Sequence, residues 1–185
     1  MDSEERKMED SIVGEKAFAK LCNSWNCEHL HIGQTVDEMS SAMFSSEEKR
    51  PDYLVNVPDL APVFFEVKTY TPVRFEKDEW GLRHMVFREN HEKFIQMKNF
   101  ESGFGTRTWY AFIERSKDHV EESFAYLVPL SRMEKWIPKA MQGDPVVWTH
   151  LVVPIRCMNK CSKGTLDMND KCMGCTDQLC ENVQT

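Results

Sequence analysis

The sequence predicts one α/β domain followed by a short cysteine-rich tail that a metal stabilises. Three observations support this: an amphipathic helix near the start of the chain, a β-hairpin in its first half, and closely spaced cysteines at its end. A chain of 185 residues is long enough for one domain with its own core. We expect a disordered start at residues 1–10, a folded domain at 11–155 and the cysteine-rich tail at 156–185.

Composition limits where the protein acts and what it binds. The net charge of −7 does not by itself favour nucleic-acid binding, which would need a local basic patch. No apolar run approaches the ~20 residues of a membrane span, and the acidic start is unlike a signal peptide. We therefore expect a cytoplasmic protein (nucleoid or nuclear in a eukaryote) that is not secreted and has no membrane partner. Seven cysteines in a reducing compartment favour metal ligation or buried thiols over disulfides.

The first element is a helix predicted from about Ser11 to Trp25. Apolar residues recur there at helical spacing and share one face. Glu15 lies at the edge of that face. The apolar positions are Val13, Ala17, Phe18, Leu21, Cys22 and Trp25. The segment HLHIG, which follows, is predicted to be a short strand.

The second element is a hairpin whose strands are Tyr53–Val57 and Val63–Lys68. The residues between them, Pro-Asp-Leu-Ala-Pro, are typical of a turn. Antiparallel pairing of the two runs predicts Asp52 opposite Lys68 and Leu54 opposite Glu66. Side chains alternate along a strand, so Glu66 and Lys68 share one face, while Phe65 and Val67 point to the other.

The open end of this hairpin carries the chemistry of a phosphodiester-cleaving site. Asp52 and Glu66 supply the carboxylate oxygens that a hard cation such as Mg²⁺ prefers. Lys68 supplies a positive charge that stabilises negative charge at phosphorus. A second Pro-Asp pair lies at the turn, where Asp59 would be about 20 Å from Lys68 at ~3.3 Å per residue. We therefore exclude Asp59 as a ligand.

The remaining elements follow in order. A helix is predicted at His91–Phe100, and strands are predicted at Thr108–Glu114 and Phe124–Val128. The segment between Thr69 and Phe100 mixes basic, aromatic and acidic residues. It has two interpretations, a nucleic-acid contact or a mixed-charge loop that covers the sheet edge.

This order of elements, together with the motif, resembles the PD-(D/E)XK nuclease superfamily of restriction-endonuclease-like folds. The resemblance covers roughly residues 11–130 and includes the RecB-like and Holliday-junction-resolvase-like branches. It implies an αβββαβ core with a central mixed sheet flanked by helices. The matching residues are Glu15 on the first helix, Asp52, Glu66 and Lys68 on the hairpin, and Gln96 in Gln96-x-x-x-Phe100, where the family pattern has Tyr in place of Phe.

The resemblance implies a metal-dependent nuclease whose expected substrate is DNA. Asp52, Glu66 and the Val67 carbonyl would hold Mg²⁺ or Mn²⁺. Lys68 would orient water or stabilise charge, and Glu15 would position a second ion or a water. A homodimer is compatible with the sequence. The alternative is a catalytically inactive protein of nuclease fold that binds nucleic acid or a protein partner through its tail.

The cysteines of the tail indicate a second, separate metal site. Cys157, Cys161, Cys172 and Cys175 form two pairs at short spacing, which is typical of a tetrahedral structural Zn²⁺ site. Because the tail has little apolar content, a metal would supply its folding free energy.

An iron–sulfur cluster is the alternative use of the cysteines. Cys172, Cys175 and Cys180, joined by Cys22 or Cys27, resemble the one-early, three-late cysteine arrangement of iron–sulfur nucleases that hold [4Fe–4S]. Zinc is favoured because its four ligands come from one local segment.

Overall fold

The computed structural model describes residues 3–32, 50–70, 84–114, 122, 124–133, 148–154 and 158–168. The helices and strands in these ranges alternate in the order expected of an α/β protein. In chain order they are α1 (Ser3–Ser24), β1 (Glu28–His31), β2 (Tyr53–Asn56), β3 (Val63–Tyr70), β4 (His84–Asn90), α2 (His91–Phe104), β5 (Thr108–Glu114), β6 (Phe124–Pro129), α3 (Leu130–Met133), β7 (Trp148–Pro154) and β8 (Asn159–Ser162).

The central sheet of the described part has six strands in the order β1-β2-β3-β5-β6-β8. Strands β3 and β5 are parallel, and every other neighbouring pair in it is antiparallel. The parallel pair needs a crossover, and α2 lies in the connection between its strands. The predicted α/β class with a central mixed sheet is therefore confirmed. Strands β4 and β7 form a separate antiparallel ribbon.

One face of the sheet packs against α1 and forms the main core. Alternation along the strands sends the odd-numbered residues of β2, β3, β5, β6 and β8 to this face. Phe18 of α1 lies at its centre, with its ring centroid 5.0 Å from that of Phe65 and 5.4 Å from that of Tyr53. Burial of this much aromatic surface holds α1 across the hairpin.

The opposite face packs against α2. Phe64 of β3 contacts the ring of Phe100 at 4.8 Å and that of Phe104 at 5.8 Å. The helix ends there because Gly105 has a φ of 62°, the left-handed conformation that terminates many helices. Because Phe64 shares its face with Glu66 and Lys68, α2 lies on the side of the sheet that carries the predicted site.

Helix α1 differs from its prediction in two respects. It begins at Ser3, so the disorder predicted for residues 1–10 is not observed for residues 3–10; Glu, Lys, Arg and Met in this stretch are good helix formers. Val13, predicted to face the core, is 38% exposed. Gly14 is buried in its place. The helix therefore presents its smallest residue to the sheet.

Three strands were not predicted. Strand β4 occupies part of the segment interpreted as a loop or a nucleic-acid contact, and β7 pairs with it. Strand β8 was placed in the tail, yet it pairs with β6 in the central sheet. The Trp25 indole N–H also donates a 2.7 Å hydrogen bond to the Ser162 carbonyl. Residues 158–168 therefore belong with the sheet, whereas residues 169–185 of the predicted tail lie outside the described residues.

Within the described ranges, no helix is both long enough and apolar enough to cross a membrane.

Candidate active site

The register of the hairpin determines which residues meet at its open end. Leu54 pairs with Phe64, whereas the sequence predicted Leu54 opposite Glu66 and Asp52 opposite Lys68. That register was wrong by two residues. A shift of two keeps every side chain on its predicted face, because side chains alternate with a period of two.

The reason for the shift lies at the turn. The Leu60 N–H donates a 3.1 Å hydrogen bond to the Val57 carbonyl, so the chain turns at Val57 and β2 ends at Asn56. Val55, rather than Val57, therefore pairs with Val63, and the partner of every β2 residue differs from the prediction by two positions. The consequence at the other end is that Asp52 lies beside Glu66, which brings the two predicted metal-binding carboxylates together.

Asp52 is anchored through three of its polar groups. Its N–H donates to the Phe65 carbonyl at 2.9 Å, and its carbonyl accepts a 2.8 Å bond from the Ile32 N–H. Its carboxylate Oδ2 accepts a 2.7 Å hydrogen bond from the Val67 N–H. The side chain thus continues the β2–β3 ladder where the backbone of β2 leaves it. This holds the carboxylate at the end of the strand, beside the Val67 backbone that was predicted to share the metal.

Glu66 and Lys68 form an ion pair on β3. Glu66 Oε1 lies 2.8 Å from Lys68 Nζ, and their side chains are 3% and 25% exposed. A carboxylate this deeply buried is costly unless a cation and hydrogen bonds compensate it. Lys68 supplies that positive charge and keeps its ammonium close to solvent. The predicted Glu-x-Lys face is therefore present as a paired cation and anion.

Helix α1 reaches the same end of β3. A Cβ atom built on Gly14 would lie 2.4 Å from Thr69 Cγ2, a distance that real Cβ contacts do not show. Only glycine allows the helix to approach this closely. Thr69 follows Lys68 in β3, and Glu15 follows Gly14 in α1, so this contact brings Glu15 to the strand end that carries the ion pair. Glu15 approaches that end from the α1 side of the sheet, whereas Glu66 and Lys68 lie on the α2 side.

Glu15 contacts His31 on β1 and Tyr53 on β2. Its carboxylate Oε2 lies 3.0 Å from His31 Nε2. Its backbone carbonyl accepts a 3.1 Å hydrogen bond from the Tyr53 hydroxyl. Neither His31 nor Tyr53 was assigned to the site from sequence; His31 was taken as a strand residue, and Tyr53 as an ordinary β former next to Asp52. The sequence offered a signal for Tyr53, which directly follows the predicted ligand Asp52, but none for His31, which is distant in sequence from every predicted carboxylate ligand.

The electrostatics of Tyr53 show that the helix and the hairpin converge. Burial, together with the negative charges of Glu15 and Asp52, raises the pKa of the Tyr53 hydroxyl to about 12. A phenol responds to a carboxylate only over a short distance in a partly buried site. Glu15 and Asp52, which are far apart in the sequence, therefore both lie near Tyr53.

Gln96 lies on α2, half-buried, on the helix that covers the Glu66 face. Phe100, which stands where the family pattern has Tyr, is 1% exposed and packs against Phe64. Phe100 therefore serves the packing of α2. The assignment of Gln96 to the site stays a prediction.

The donor set at the open end fits a magnesium-type cation. No three His, Cys, Asp or Glu side chains form a ready-made metal cluster in the residues that the structure describes. Asp52 and Glu66 nevertheless lie at the same end of the hairpin, where the Asp52 N–H bonds the Phe65 carbonyl and the Asp52 carboxylate bonds the Val67 N–H. Mg²⁺ commonly uses one or two carboxylates, with water and substrate phosphate completing its coordination. The set contains only oxygen donors, which also suits Mn²⁺.

Cys161 is the member of the predicted zinc set whose position the structure describes. It lies on β8 and is fully buried in the α1-side core. Its thiol donates a 3.1 Å hydrogen bond to the Asp167 carbonyl and accepts a 3.3 Å bond from the Asp167 N–H. Burial raises the pKa of this thiol to about 11, which favours the neutral form. The other predicted ligands, Cys157, Cys172 and Cys175, lie outside the described residues.

The structure likewise describes only some of the cysteines in the iron–sulfur alternative. Cys22 and Cys27 are buried in the core, and burial raises the pKa of both thiols. The Cys27 thiol contacts the Trp25 carbonyl at 3.7 Å. Both thiols pack among the apolar side chains of the core in this structure. Cys172, Cys175 and Cys180 lie outside the described residues.

The comparisons with known proteins found a likeness among solved structures alone. No protein-family model and no curated protein matches the chain. Among solved structures, the chain is similar to Hjc, a Holliday junction resolvase from the archaeal hyperthermophile Archaeoglobus fulgidus. The likeness has a TM-score of 0.44 and 11% sequence identity, and it covers 77% of this chain and 86% of the resolvase.

Proposed function

We propose that this protein is a metal-dependent nuclease that hydrolyses phosphodiester bonds, with DNA as its expected substrate. One observation carries the proposal. At the open end of the hairpin, the Val67 N–H holds the Asp52 carboxylate at 2.7 Å, while Glu66 beside it pairs with Lys68 at 2.8 Å. Two carboxylates and a lysine at the same end of the hairpin are the groups that metal-assisted phosphodiester cleavage uses, and this supports the proposal.

Each residue has a role in this proposal. Asp52, Glu66 and the Val67 carbonyl would hold Mg²⁺ or Mn²⁺. When bound, the cation supplies Lewis-acid polarisation of the attacked phosphate and neutralises part of its charge. Lys68 Nζ donates hydrogen bonds to an oxygen on which negative charge develops. Glu15, on α1, supplies a third carboxylate for a second ion or for the attacking water.

The ion pair has a consequence for this mechanism. Lys68 compensates the negative charge of the buried Glu66 carboxylate. A cation held by Asp52 and Glu66 would take over that neutralisation. The Lys68 ammonium would then be available to the substrate phosphate, so metal and lysine act together on one anionic group.

The test is cleavage of a panel of single-stranded, duplex and branched DNA and of RNA, with MgCl₂, MnCl₂ or EDTA. Asp52→Asn keeps the shape of the side chain but weakens its metal binding, and Lys68→Ala removes the cation. Asp59→Asn is the matched control, because it is also an aspartate after a proline in the same hairpin. Partners in the outer shell of a metal site are worth 10–100-fold in activity. We expect ligand loss at Asp52 to cost at least about 100-fold.

The outcomes separate the functions. Divalent-metal-dependent cleavage that is lost in Asp52→Asn and Lys68→Ala but kept in Asp59→Asn supports a nuclease. Absence of cleavage on every substrate would falsify the proposal and leave the alternative of a nuclease-fold binding protein. Size-exclusion chromatography with light scattering of the same preparation tests the homodimer.

The zinc tail remains a separate proposal, because Cys161 is the one member of its predicted ligand set that the described residues include. Metal analysis of the purified full chain distinguishes the possibilities. About one zinc per chain, kept in Cys161→Ala but lost in Cys172→Ala, would show a zinc site that does not use Cys161. Visible absorbance from iron would instead support [4Fe–4S].

A further inference from the structure

We propose that His31 is a positioning residue of the candidate active site, which holds the Glu15 carboxylate in place for metal-dependent cleavage. This inference rests on the proposed nuclease function and extends it to a residue outside the sequence motif. It is carried by the contact between His31 Nε2 and Glu15 Oε2 at 3.0 Å.

Glu15 needs such a partner because of where it lies. It projects from a helix, and a glutamate side chain loses up to ~2 kcal/mol of rotamer entropy when it is held in one conformation. The Gly14–Thr69 contact places the helix backbone, and the Tyr53 hydroxyl anchors the Glu15 carbonyl at 3.1 Å. Neither contact determines the direction of the carboxylate. The His31 imidazole does so, because it bonds a carboxylate oxygen directly.

His31 is itself well placed to act as a fixed partner. It pairs with Tyr53 across β1 and β2, and the two ring centroids are 4.9 Å apart. The next residue, Ile32, donates its N–H to the Asp52 carbonyl at 2.8 Å. Strand β1 is therefore tied to the backbone of a proposed metal ligand. His31 and the adjacent Ile32 therefore connect Glu15 on the helix with Asp52 on the hairpin.

The contact is partly sheltered from water. The His31 and Glu15 side chains are 34% and 21% exposed. A hydrogen bond in such a site is stronger than one in full solvent. Hydrogen-bond partners of metal-site carboxylates are typically worth 10–100-fold in metal affinity or activity. The loss of His31 should fall in this range, well below the loss of a ligand.

The chain offers a matched control on the same strand. His29 lies two residues from His31 and shares its face. Its ring also lies near Tyr53, at 5.9 Å, but its Nδ1 contacts the Cys27 carbonyl at 3.4 Å. His29→Leu therefore removes an imidazole from β1 without removing the contact to Glu15.

The experiment compares His31→Leu, His31→Gln and His29→Leu, using the best wild-type DNA substrate. The readouts are the maximal rate and the MgCl₂ concentration for half-maximal rate. We expect His31→Leu to lower the maximal rate, to raise the MgCl₂ concentration for half-maximal rate, or to do both, by about 10–100-fold. His31→Gln should recover most of it, because its amide nitrogen can replace Nε2 as a donor, and His29→Leu should match wild type. Thermal unfolding identifies any variant that fails to fold.

A second readout does not depend on cleavage. In the NMR spectrum of the full chain, MgCl₂ should shift the His31 imidazole signals more than those of His29. This difference should disappear in Glu15→Gln, which keeps an oxygen acceptor but loses the charge.

The outcomes separate this inference from the proposed function. If wild type cleaves and His31→Leu behaves like His29→Leu, the positioning role is wrong and the nuclease function stands. If wild type does not cleave, the function fails. The magnesium-induced shift then decides the inference: its presence and its loss in Glu15→Gln support the His31–Glu15 link, and its absence overturns it.

Discussion

The hairpin contains two Pro-Asp dipeptides that have different environments. Asp52, after Pro51, is half-buried, and its N–H, carbonyl and carboxylate are all hydrogen-bonded. Asp59, after Pro58, is exposed at the turn, where its φ of 63° is left-handed. The same two residue types thus produce a candidate ligand at one end and a turn residue at the other.

The difference follows from what each end of the hairpin requires. At the open end, β2 stops while β3 continues, so the Val67 N–H needs an acceptor and the Asp52 carboxylate provides it. At the closed end the backbone must reverse, and aspartate tolerates the left-handed conformation better than most residues. Position in the ladder, rather than the dipeptide, makes Asp52 a functional candidate.

Stability should show the largest effect of this difference. Asp52→Ala leaves the Val67 N–H without its carboxylate acceptor, and we expect the free energy of unfolding to fall by about 1–3 kcal/mol. Asp52→Asn keeps an oxygen acceptor and should lose less than about 1 kcal/mol. Asp59→Asn should stay within about 0.5 kcal/mol of wild type. Urea unfolding measures all three, and equal losses in Asp52→Ala and Asp52→Asn would contradict the role given to the hydrogen bond.

The next effect concerns the approach of α1 to the open end. Gly14→Ala puts a methyl group against Thr69 Cγ2, and overpacking of this kind costs about 1–3 kcal/mol. The better helix propensity of alanine offsets up to about 1 kcal/mol of that. We therefore expect a net loss of about 1–2 kcal/mol in urea unfolding. Adding Thr69→Ser, which removes the opposing methyl group, should restore most of it.

Val13→Ala provides the control for that experiment, because Val13 lies on the same helix turn and is 38% exposed. A Gly14→Ala variant as stable as Val13→Ala would mean that the helix can retreat from β3 at little cost. The convergence of Glu15 on the hairpin would then lose its structural basis.

The smallest effect is expected in the alkaline range and comes from Tyr53. Burial, with the charges of Glu15 and Asp52, raises its pKa to about 12, from near 10 in the unfolded chain. The folded state therefore holds this proton more tightly, and its stabilisation is present below pH 10 and lost as pH rises toward 12. Tyr53→Phe should flatten the fall in the free energy of unfolding between pH 10 and 12.

Other groups also titrate in that range, so the comparison must be between variants. Burial raises the pKa of Tyr70 and of the Cys22 and Cys161 thiols as well. These contribute equally to wild type and Tyr53→Phe. Asp52→Asn should also flatten the slope in part, and Asp59→Asn should not. Parallel curves for wild type and Tyr53→Phe would show that Tyr53 does not sense the two carboxylates.

Much of the fold was predictable because it depends on local pattern. Helical spacing located the core face of α1, and β propensity with turn residues located the hairpin. Strand β5 was predicted at its observed bounds, Thr108–Glu114. Alternation alone placed Glu66 and Lys68 on one face, and that assignment survived an error of two residues in register because the side-chain period is two.

The sequence by itself determined the α/β class, the hairpin and the residue types at its open end. Tertiary structure alone decided the register that brings Asp52 to Glu66, the close approach of Gly14 to Thr69 and the contact of His31 with Glu15. It also decided that Cys161 packs in the core and that β8 joins the sheet. These contacts join segments 15 to 137 residues apart, as in the Val67–Asp52 and Trp25–Ser162 hydrogen bonds. Local spacing carries no information on such pairs, because they are set by how helix and sheet fill their shared core.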